Sequence, residues 1–331
     1  HMSIIKESTI RPNHMIKKMN QLRKDDMAIF KSNSFITVNC PSCNSKKYKF
    51  QFKKSKFNFV ECKKCLTVFV NPRPSTELLE KYYSSSKCMN YWAQIYQKTE
   101  KSRIKNIFEP RLKLVQKVLD ENNFKKINHL VEVGAGYGWF CRLAHKNNLA
   151  NSITAIEPSE ITSKKCKEIP NINVIESTIE KIPKLNADVI VNFELIEHLF
   201  EPKPFVKSCY DGLKSNGLLI LTTPNFFGLD MQILKKQHDS IVAPNHLNFF
   251  NPNSISLLLK SIGFKKINII TPGILDIEII MNKINSNVIS ENNFPFFSYL
   301  KKQNNSNLLA DIQKLIQKYN LSSSMLISAK K

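Results

Sequence analysis

The chain of 331 residues has no apolar run approaching the roughly 20 residues that cross a membrane. Its N-terminal stretch also lacks the apolar core of a signal peptide. We therefore expect a cytoplasmic protein with no membrane span. Internal repeats are absent as well, which excludes a repeat architecture, and the length suggests two domains.

Arginine is scarce, with six residues among 49 basic ones, although the net charge is +22. Residues 1–75 hold 16 basic against four acidic residues, and lysines alternate with aromatics over residues 46–57. Such a pattern could face the phosphates of a nucleic acid. Phosphate recognition favours the bidentate guanidinium of arginine, however. We therefore expect the partner of this basic surface to be a small anionic substrate, such as a sugar nucleotide, rather than a nucleic acid.

Four of the eight cysteines form two pairs with the spacing C-x2-C-x18-C-x2-C. Each pair predicts a tight knuckle that presents two thiolates, and four thiolates complete a tetrahedral zinc shell. The alternating runs at residues 48–52 and 57–61 predict the hairpin of a zinc ribbon. The interpretation as unrelated buried thiols does not explain the paired spacing. We predict a structural zinc ion with the ligands Cys40, Cys43, Cys62 and Cys65.

The rest of the chain predicts an α/β fold. A basic leader occupies residues 1–38, and the ribbon occupies residues 39–75. Residues 76–120 are expected to form a mainly helical cap that covers a bound cofactor. From residue 121 to 331 strands alternate with helices, and an Asn/Ser-rich insertion lies near residues 283–307. This alternation predicts a Rossmann-like, doubly wound, mostly parallel seven-stranded sheet. Its strands are expected at residues 129–133, 153–156, 172–175, 187–193, 217–222, 266–270 and 325–329.

The strand at residues 129–133 enters a Gly-x-Gly-x-Gly turn made by Gly134, Gly136 and Gly138. Glycines let the backbone approach a ligand, and the following helix offers free N–H groups. Glu157 lies 23 positions after Gly134, where an acid can accept from both hydroxyls of a ribose. A dinucleotide fingerprint would have its third glycine at Trp139. The pattern predicts a nucleoside cofactor over the ends of the strands.

These residues resemble class I S-adenosylmethionine-dependent methyltransferases. Residues 132–138 resemble the first cofactor motif of that family, and Glu157 the acid that binds the ribose. Residues 177–180 resemble the adenine-side segment, with Thr178 where Asp is frequent, and residues 193–198 and 222–225 resemble the motifs after the fourth and fifth strands. The resemblance implies S-adenosylmethionine as the cofactor, with the binding residues Glu132, Gly134, Gly136, Gly138, Glu157, Thr178, Ile179 and Glu194.

Three further segments resemble the subgroup of that family with an N-terminal zinc ribbon. They are residues 72–75, 245–250 and 271–276. The subgroup is similar to deoxysugar C-methyltransferases and to enzymes encoded near surface-polysaccharide genes. This resemblance implies a role in carbohydrate biosynthesis, with a small, sugar-linked acceptor such as a sugar nucleotide or a polysaccharide precursor.

Methyl transfer to a hydroxyl or acidic C–H group requires a base near neutral pH, and histidine is suited to that. We predict that His246 is the base, with His198 oriented by Glu197 as the alternative. In a second interpretation Glu194, Glu197, His198 and His246 resemble the divalent-metal quartet of small-RNA 2′-O-methyltransferases. In a third interpretation the chain is a non-catalytic zinc-ribbon interaction protein. The intact glycines and Glu157 argue against this third interpretation.

Overall fold

The structure is a computed structural model that describes residues 7–10, 12–30, 35–303 and 305–331. The predicted leader at residues 1–6, 11 and 31–34 lies outside the described residues, as does Asn304 of the predicted insertion. The chain divides into two compact units. The first comprises His1–Glu100, Pro224–Ser254 and Ile270–Met325, and the second comprises Lys101–Thr223, Ile255–Ile269 and Leu326–Lys331. Both units are discontinuous along the chain and do not correspond to the four predicted segments, so that division stays a prediction.

The described residues form thirteen strands and thirteen α-helices. The strands are β1 (Phe35–Ile36), β2 (Tyr48–Lys54), β3 (Phe57–Cys62), β4 (Val68–Val70), β5 (Arg73–Pro74), β6 (His129–Val133), β7 (Ser152–Ile156), β8 (Asn173–Ile175), β9 (Ala187–Phe193), β10 (Leu213–Pro224), β11 (Asn248–Phe249), β12 (Lys265–Ile270) and β13 (Ser324–Lys330). The helices are α1 (Asn13–Asp26), α2 (Thr76–Ser85), α3 (Lys87–Lys98), α4 (Glu100–Arg103), α5 (Glu109–Glu121), α6 (Trp139–Lys146), α7 (Glu160–Lys167), α8 (Pro202–Gly212), α9 (Leu229–Leu234), α10 (Pro252–Ile262), α11 (Asp276–Asn285), α12 (Pro295–Gln303) and α13 (Ser306–Lys318).

A seven-stranded sheet, most of which lies in the second unit, confirms the predicted Rossmann-like α/β fold. Its strand order is β8-β7-β6-β9-β10-β13-β12, and β6 to β10 pair in parallel throughout. Both faces of β6 and β9 are almost entirely buried, which fits their mostly apolar sequences. The chain adds strands in one direction from β6 and then in the other from β9, so a topological switch point lies between these two strands.

Helices precede the sheet, as the sequence predicts for residues 76–120. Pro110 lies in the first turn of α5, where proline is well tolerated. A five-residue π-helical segment, Ile104–Phe108, joins α4 to α5. No helix in the described part of the chain is long and apolar enough to span a membrane. The role of these helices as a cover for the cofactor stays a prediction.

The first unit contains an antiparallel four-stranded sheet of order β11-β4-β3-β2. The hairpin of β2 and β3 and the return strand β4 form the predicted ribbon. The fourth strand, β11, comes from far along the chain and pairs Asn248 with Phe69 and Phe249 with Val68. The Val70 amide extends the ladder by donating to the Leu247 carbonyl at 2.9 Å. The ribbon sheet therefore holds the loop before β11.

The predicted insertion near residues 283–307 is largely helical. Within the first unit, α11, α12 and α13 share an apolar cluster whose buried members are Ile277, Ile280, Ile284, Phe297, Leu300 and Ile316. Asp276 at the start of α11 accepts hydrogen bonds from the Ser322 hydroxyl at 2.7 Å, the Ser323 amide at 2.7 Å and Gln313 at 2.8 Å. The described part of the segment is therefore packed within its unit.

Candidate functional site

The three glycines of the loop after β6 all adopt positive φ angles. φ is +74° at Gly134, +55° at Gly136 and +69° at Gly138, a conformation that residues with a Cβ rarely adopt. A Cβ added at Gly134 would lie 2.9 Å from Leu195, and one at Gly138 would lie 2.5 Å from Cys166. A Cβ at Gly136 would meet no atom within 4 Å. A Cβ at Gly134 or Gly138 would therefore displace a neighbouring side chain, whereas Gly136 leaves its backbone open to a ligand.

Glu157 follows β7 directly, and two backbone N–H groups fix its carboxylate against the glycine loop. The Gly136 amide donates to Oε2 at 2.8 Å and the Ser159 amide donates to Oε1 at 2.9 Å. The residue is only 7% exposed. An ionised carboxylate has about four lone-pair sites, so each oxygen can still accept from a hydroxyl group. A fixed acid beside the open backbone of Gly136 fits the ribose of a nucleoside cofactor.

Glu132 lies buried beneath the first turn of α6. Its Oε2 accepts from the Cys141 amide at 3.2 Å and from the Cys141 thiol at 2.9 Å. Gly138, which precedes α6, has no side chain to cap the helix, so Glu132 supplies an acceptor that the helix N-terminus needs. Burial raises the pKa of Glu132 to about 7, against the lowering effects of the thiol hydrogen bond and the positive charge of Arg111. Contact between Glu132 and the cofactor stays a prediction.

The loop after β9 holds two carboxyl groups in contrasting environments. Glu194 is exposed and has a φ of +50°, whereas Glu197 is fully buried and accepts a hydrogen bond from Thr223 at 2.9 Å. Burial, and then the negative charge of Glu194, raise the pKa of Glu197 well above its usual range. Its Oε1 lies 3.7 Å from Nε2 of His198. Burial thus disfavours the charged form of the carboxyl group that would orient His198.

Thr178 and Ile179 follow β8, the strand next to β7. Ile179 is 1% exposed, and the Thr178 carbonyl accepts from the Lys181 amide at 3.1 Å to close a single turn. Because β6, β7, β8 and β9 are parallel neighbours, the loops that follow them lie at one edge of the sheet. Every cofactor residue predicted from the sequence belongs to one of these four strand ends.

Arg111 on α5 is a residue of this edge that the sequence did not reveal. Its guanidinium lies 4.5 Å from the ring centroid of Phe193, the last residue of β9, and 5.0 Å from that of Phe108. Its positive charge opposes the raised pKa values of Glu132 and Glu197. Only the scarcity of arginine could have drawn attention to this position, because α5 otherwise has an ordinary amphipathic pattern.

The cysteine pairs of the first unit form two knuckles with the same backbone geometry. The Asn44 amide donates to the Cys40 carbonyl at 2.9 Å, and the Leu66 amide donates to the Cys62 carbonyl at 3.0 Å. Asn44 and Leu66 both adopt a positive φ, of 58° and 61°. Each knuckle thus turns its two thiols toward the same side. The local hydrogen bond and the positive φ explain this arrangement within each pair.

The four thiols face one another, as the spacing predicted. Their sulfur atoms all lie within 4.8 Å of one another, with 3.5 Å between Cys40 and Cys65 and between Cys43 and Cys62. Zinc–thiolate bonds of about 2.3 Å in a tetrahedron place sulfurs about 3.8 Å apart, so the donor set fits one ion. The hydrogen bond with Cys40 is the main cause that lowers the pKa of Cys65 to about 5, whereas burial raises that of Cys43 to about 11. A thiolate among buried thiols suits a cation.

His246 lies on the loop between α9 and β11 in the first unit. Its Nδ1 is 2.7 Å from the Ser240 carbonyl oxygen. A carbonyl can only accept, so Nδ1 carries the proton and Nε2 is the basic nitrogen of the neutral ring. The neighbouring Asn245 accepts a hydrogen bond from Tyr82 at 3.1 Å. The loop therefore presents a half-buried histidine in a defined tautomer.

Comparisons with known proteins agree on one family. A family model described as a methyltransferase domain matches residues 100–269. A Mycobacterium tuberculosis protein named "probable S-adenosylmethionine-dependent methyltransferase" is 28% identical over 138 residues, 41% of this chain and 48% of that protein. The malonyl-[acyl-carrier protein] O-methyltransferase of Halalkalibacterium halodurans is 31% identical over 120 residues, 34% of this chain and 42% of that protein.

The chain spans about half the length of the curated relatives it matches. Among solved structures, an S-adenosylmethionine-dependent methyltransferase of Thermotoga maritima is 16% identical with a TM-score of 0.48. The match covers 73% of this chain and 95% of that one.

We expect Glu132→Gln to become progressively more stable than the wild type as the pH rises. Because burial raises the pKa of Glu132 from 4.5 to about 7, the folded wild type binds the extra proton, and its stability falls across that interval. The difference in unfolding free energy should reach about 3 kcal/mol at most. Thermal unfolding of both proteins by circular dichroism from pH 4.5 to 8 measures it. Glu160→Gln, at an exposed acid, is the control, and a difference that does not vary with pH contradicts the assignment.

Proposed function

Since the chain belongs to the methyltransferase-domain family, whose model matches residues 100–269, we propose that it transfers the methyl group of S-adenosylmethionine to a small, sugar-linked acceptor. The observation that carries the proposal is the edge of the sheet at the switch point. There the open backbone of Gly136 lies against the fixed carboxylate of Glu157. Glycine geometry and an acid at that spacing are what a nucleoside cofactor requires.

The residues at this edge divide the cofactor among them. Residues 134–138 would hold the methionine end, Glu157 would accept from the ribose hydroxyls, and Thr178 and Ile179 would flank the adenine. When bound, S-adenosylmethionine would supply an electrophilic methyl group, with a neutral thioether as the leaving group. The chain supplies alignment of donor and acceptor, exclusion of water and a base for the acceptor's proton.

Support for a sugar-linked acceptor comes from the three segments that resemble the zinc-ribbon subgroup. All three lie within the first unit. Arg73, in residues 72–75, is 1% exposed and donates to Asn248, in residues 245–250, at 3.1 Å. Residues 271–276 end at Asp276, whose hydrogen bonds fix the start of α11. Two of the segments are therefore bonded to each other beside the loop of His246, and the third is fixed by hydrogen bonds within the same unit.

We expect Glu157→Ala to weaken binding of S-adenosylmethionine at least tenfold. A carboxylate that accepts from two hydroxyls contributes about 1.5–3 kcal/mol. Isothermal titration calorimetry with S-adenosylmethionine measures the change. Glu160→Ala removes the same charge three residues later from an exposed position and should bind normally. Equal affinity of Glu157→Ala and wild type would refute the cofactor site.

We propose His246 as the base that takes the acceptor's proton on Nε2, with His198 as the alternative. The hydrogen bond from Nδ1 to the Ser240 carbonyl supports this choice, since it leaves Nε2 as the basic nitrogen. His198 lies beside the buried carboxyl group of Glu197, at 3.7 Å. Burial raises the pKa of Glu197 and so disfavours the negative charge that would make His198 a stronger base.

His246→Ala should lower turnover about 10²–10⁴-fold, the usual contribution of a general base, and leave the affinity for S-adenosylmethionine nearly intact. Transfer of a labelled methyl group to a panel of sugar nucleotides measures turnover, and His14→Ala, at an exposed histidine on α1, is the control.

The same assay tests the metal interpretation. If chelation abolishes turnover and Mg²⁺ or Mn²⁺ restores it, His246 is a ligand and the acceptor is a ribose diol. If His246→Ala is fully active and chelation has no effect, both roles of His246 are wrong.

We further propose that Cys40, Cys43, Cys62 and Cys65 hold one structural zinc ion. A closed set of four thiolates leaves no position for substrate, so the ion stabilises the ribbon and takes no part in methyl transfer.

Elemental analysis of the purified protein should find one zinc per chain, and Cys62→Ser should lose the metal and destabilise the ribbon sheet. Cys88→Ser, at a buried cysteine outside the cluster, should keep both. Zinc-free protein with an intact ribbon would argue decisively against the site.

A further inference from the structure

We propose that the buried pair of Asp230 and His238 positions His246, acting through the peptide groups of Ser240, and so determines which ring nitrogen of His246 is basic. The inference rests on the proposed function only in assigning His246 the role of base. Asp230 and His238 are positioning residues, since neither is assigned a contact with substrate or cofactor.

Asp230 and His238 are almost completely removed from water. Asp230 is 0% exposed and His238 is 3% exposed, and His238 Nε2 lies 3.0 Å from Asp230 Oδ2. The other carboxylate oxygen accepts from the Met231 amide at 2.7 Å. Such a pair contributes little net stability compared with apolar residues of the same volume. The pair instead fixes geometry, because the hydrogen bond holds both side chains in one orientation.

The peptide groups of Ser240 connect this pair to His246. The Ser240 amide donates to His238 Nδ1 at 3.0 Å, so Nδ1 is the unprotonated nitrogen and Nε2–H donates to Asp230. The carbonyl of the same residue accepts from His246 Nδ1 at 2.7 Å. Ser240 is therefore bonded to the His238 ring through its N–H and to the His246 ring through its C=O.

The short loop between the two histidines is held at further points. The Ile241 amide donates to the His238 carbonyl at 3.1 Å, and the His246 amide donates to the Val242 carbonyl at 2.8 Å. Lys54 on β2 also donates to the His238 carbonyl, at 2.9 Å. Ser240 is thus held on both sides: its own N–H bonds the His238 ring, and the peptide group that carries its carbonyl bonds the His238 carbonyl through the Ile241 amide. Loss of the ring hydrogen bond releases the first of these two peptide groups and so loosens the acceptor that fixes the tautomer of His246.

Three substitutions separate this role from simple packing. His238→Phe removes both ring nitrogens, and His238→Gln keeps polarity but places its amide group near the position of Nε2, away from Ser240. His238→Asn places its amide oxygen near the position of Nδ1 and can still accept from the Ser240 amide. The positioning role therefore predicts loss of function in the Phe and Gln variants and recovery in the Asn variant.

The primary readout is the ¹⁵N spectrum of the histidine ring nitrogens, with the His246 signals identified by their absence in His246→Ala. In the wild type and in His238→Asn, Nδ1 of His246 should be protonated and Nε2 unprotonated. In His238→Phe and His238→Gln the two tautomers should mix. Turnover should fall about 10–100-fold in these two variants, as misplacement of a reacting group by about 1 Å does, with unchanged affinity for S-adenosylmethionine. Asp26→Asn, at another buried carboxylate of the same unit that binds Ser86 and Cys88, should leave the His246 signals unchanged.

The outcomes distinguish the inference from the function it builds on. If the His246 signals of both His238→Phe and His238→Gln match the wild type, the positioning role is wrong, whatever the activity. If His238→Phe fails to fold, His238→Gln makes the same test with a polar side chain of similar size. If the tautomer shifts as expected but His246→Ala is fully active, the pair still positions the ring and the assignment of His246 as base is what fails.

Discussion

The pairing of β11 with β4 is the interaction on which the first unit depends. It joins residues 68–70 to residues 248–249 by an antiparallel ladder, and it packs Phe249 against Phe59, with ring centroids 5.8 Å apart. A ribbon alone would expose the outer edge of β4, and a strand edge left open is a site for misplaced pairing. Here the edge is closed by the segment that directly follows His246. The cysteine knuckles and the His246 loop consequently belong to one framework.

At the edge of the larger sheet the important feature is a group of buried acidic side chains within a strongly basic chain. Glu132, Glu157 and Glu197 are all almost completely buried, yet burial has different consequences for each. Glu157 accepts from two backbone amides, whereas Glu132 and Glu197 have raised pKa values because burial disfavours their charged forms. Glu157 therefore presents fixed acceptor oxygens where a ribose needs them, whereas burial disfavours the charged forms of Glu132 and Glu197.

The features that the sequence predicted well are those encoded over short stretches. The strands β6 and β9 have the bounds that the sequence predicts. The glycine turn and Glu157 can be recognised as one motif because their separation is typical of a βαβ unit. In contrast, β11 has only two residues, and its partner lies about 180 residues earlier, so no local pattern indicates it. The link from Asp230 to His246 was equally invisible, because it passes through backbone groups of Ser240, which every residue possesses.

The closure of the ribbon sheet by β11 also sets the order in which the chain can reach its native state. Strands β2, β3 and β4 and both knuckles are complete within the first 70 residues, whereas β11 ends at Phe249. Contacts between such distant segments carry a loop-closure entropy that local ones avoid, and high contact order slows folding. During synthesis, with domains folding from the N-terminus at about 5–20 residues per second, the open edge of β4 persists for on the order of ten seconds or more. A metal ion bound early would keep this exposed hairpin in register until its last strand emerges from the ribosome.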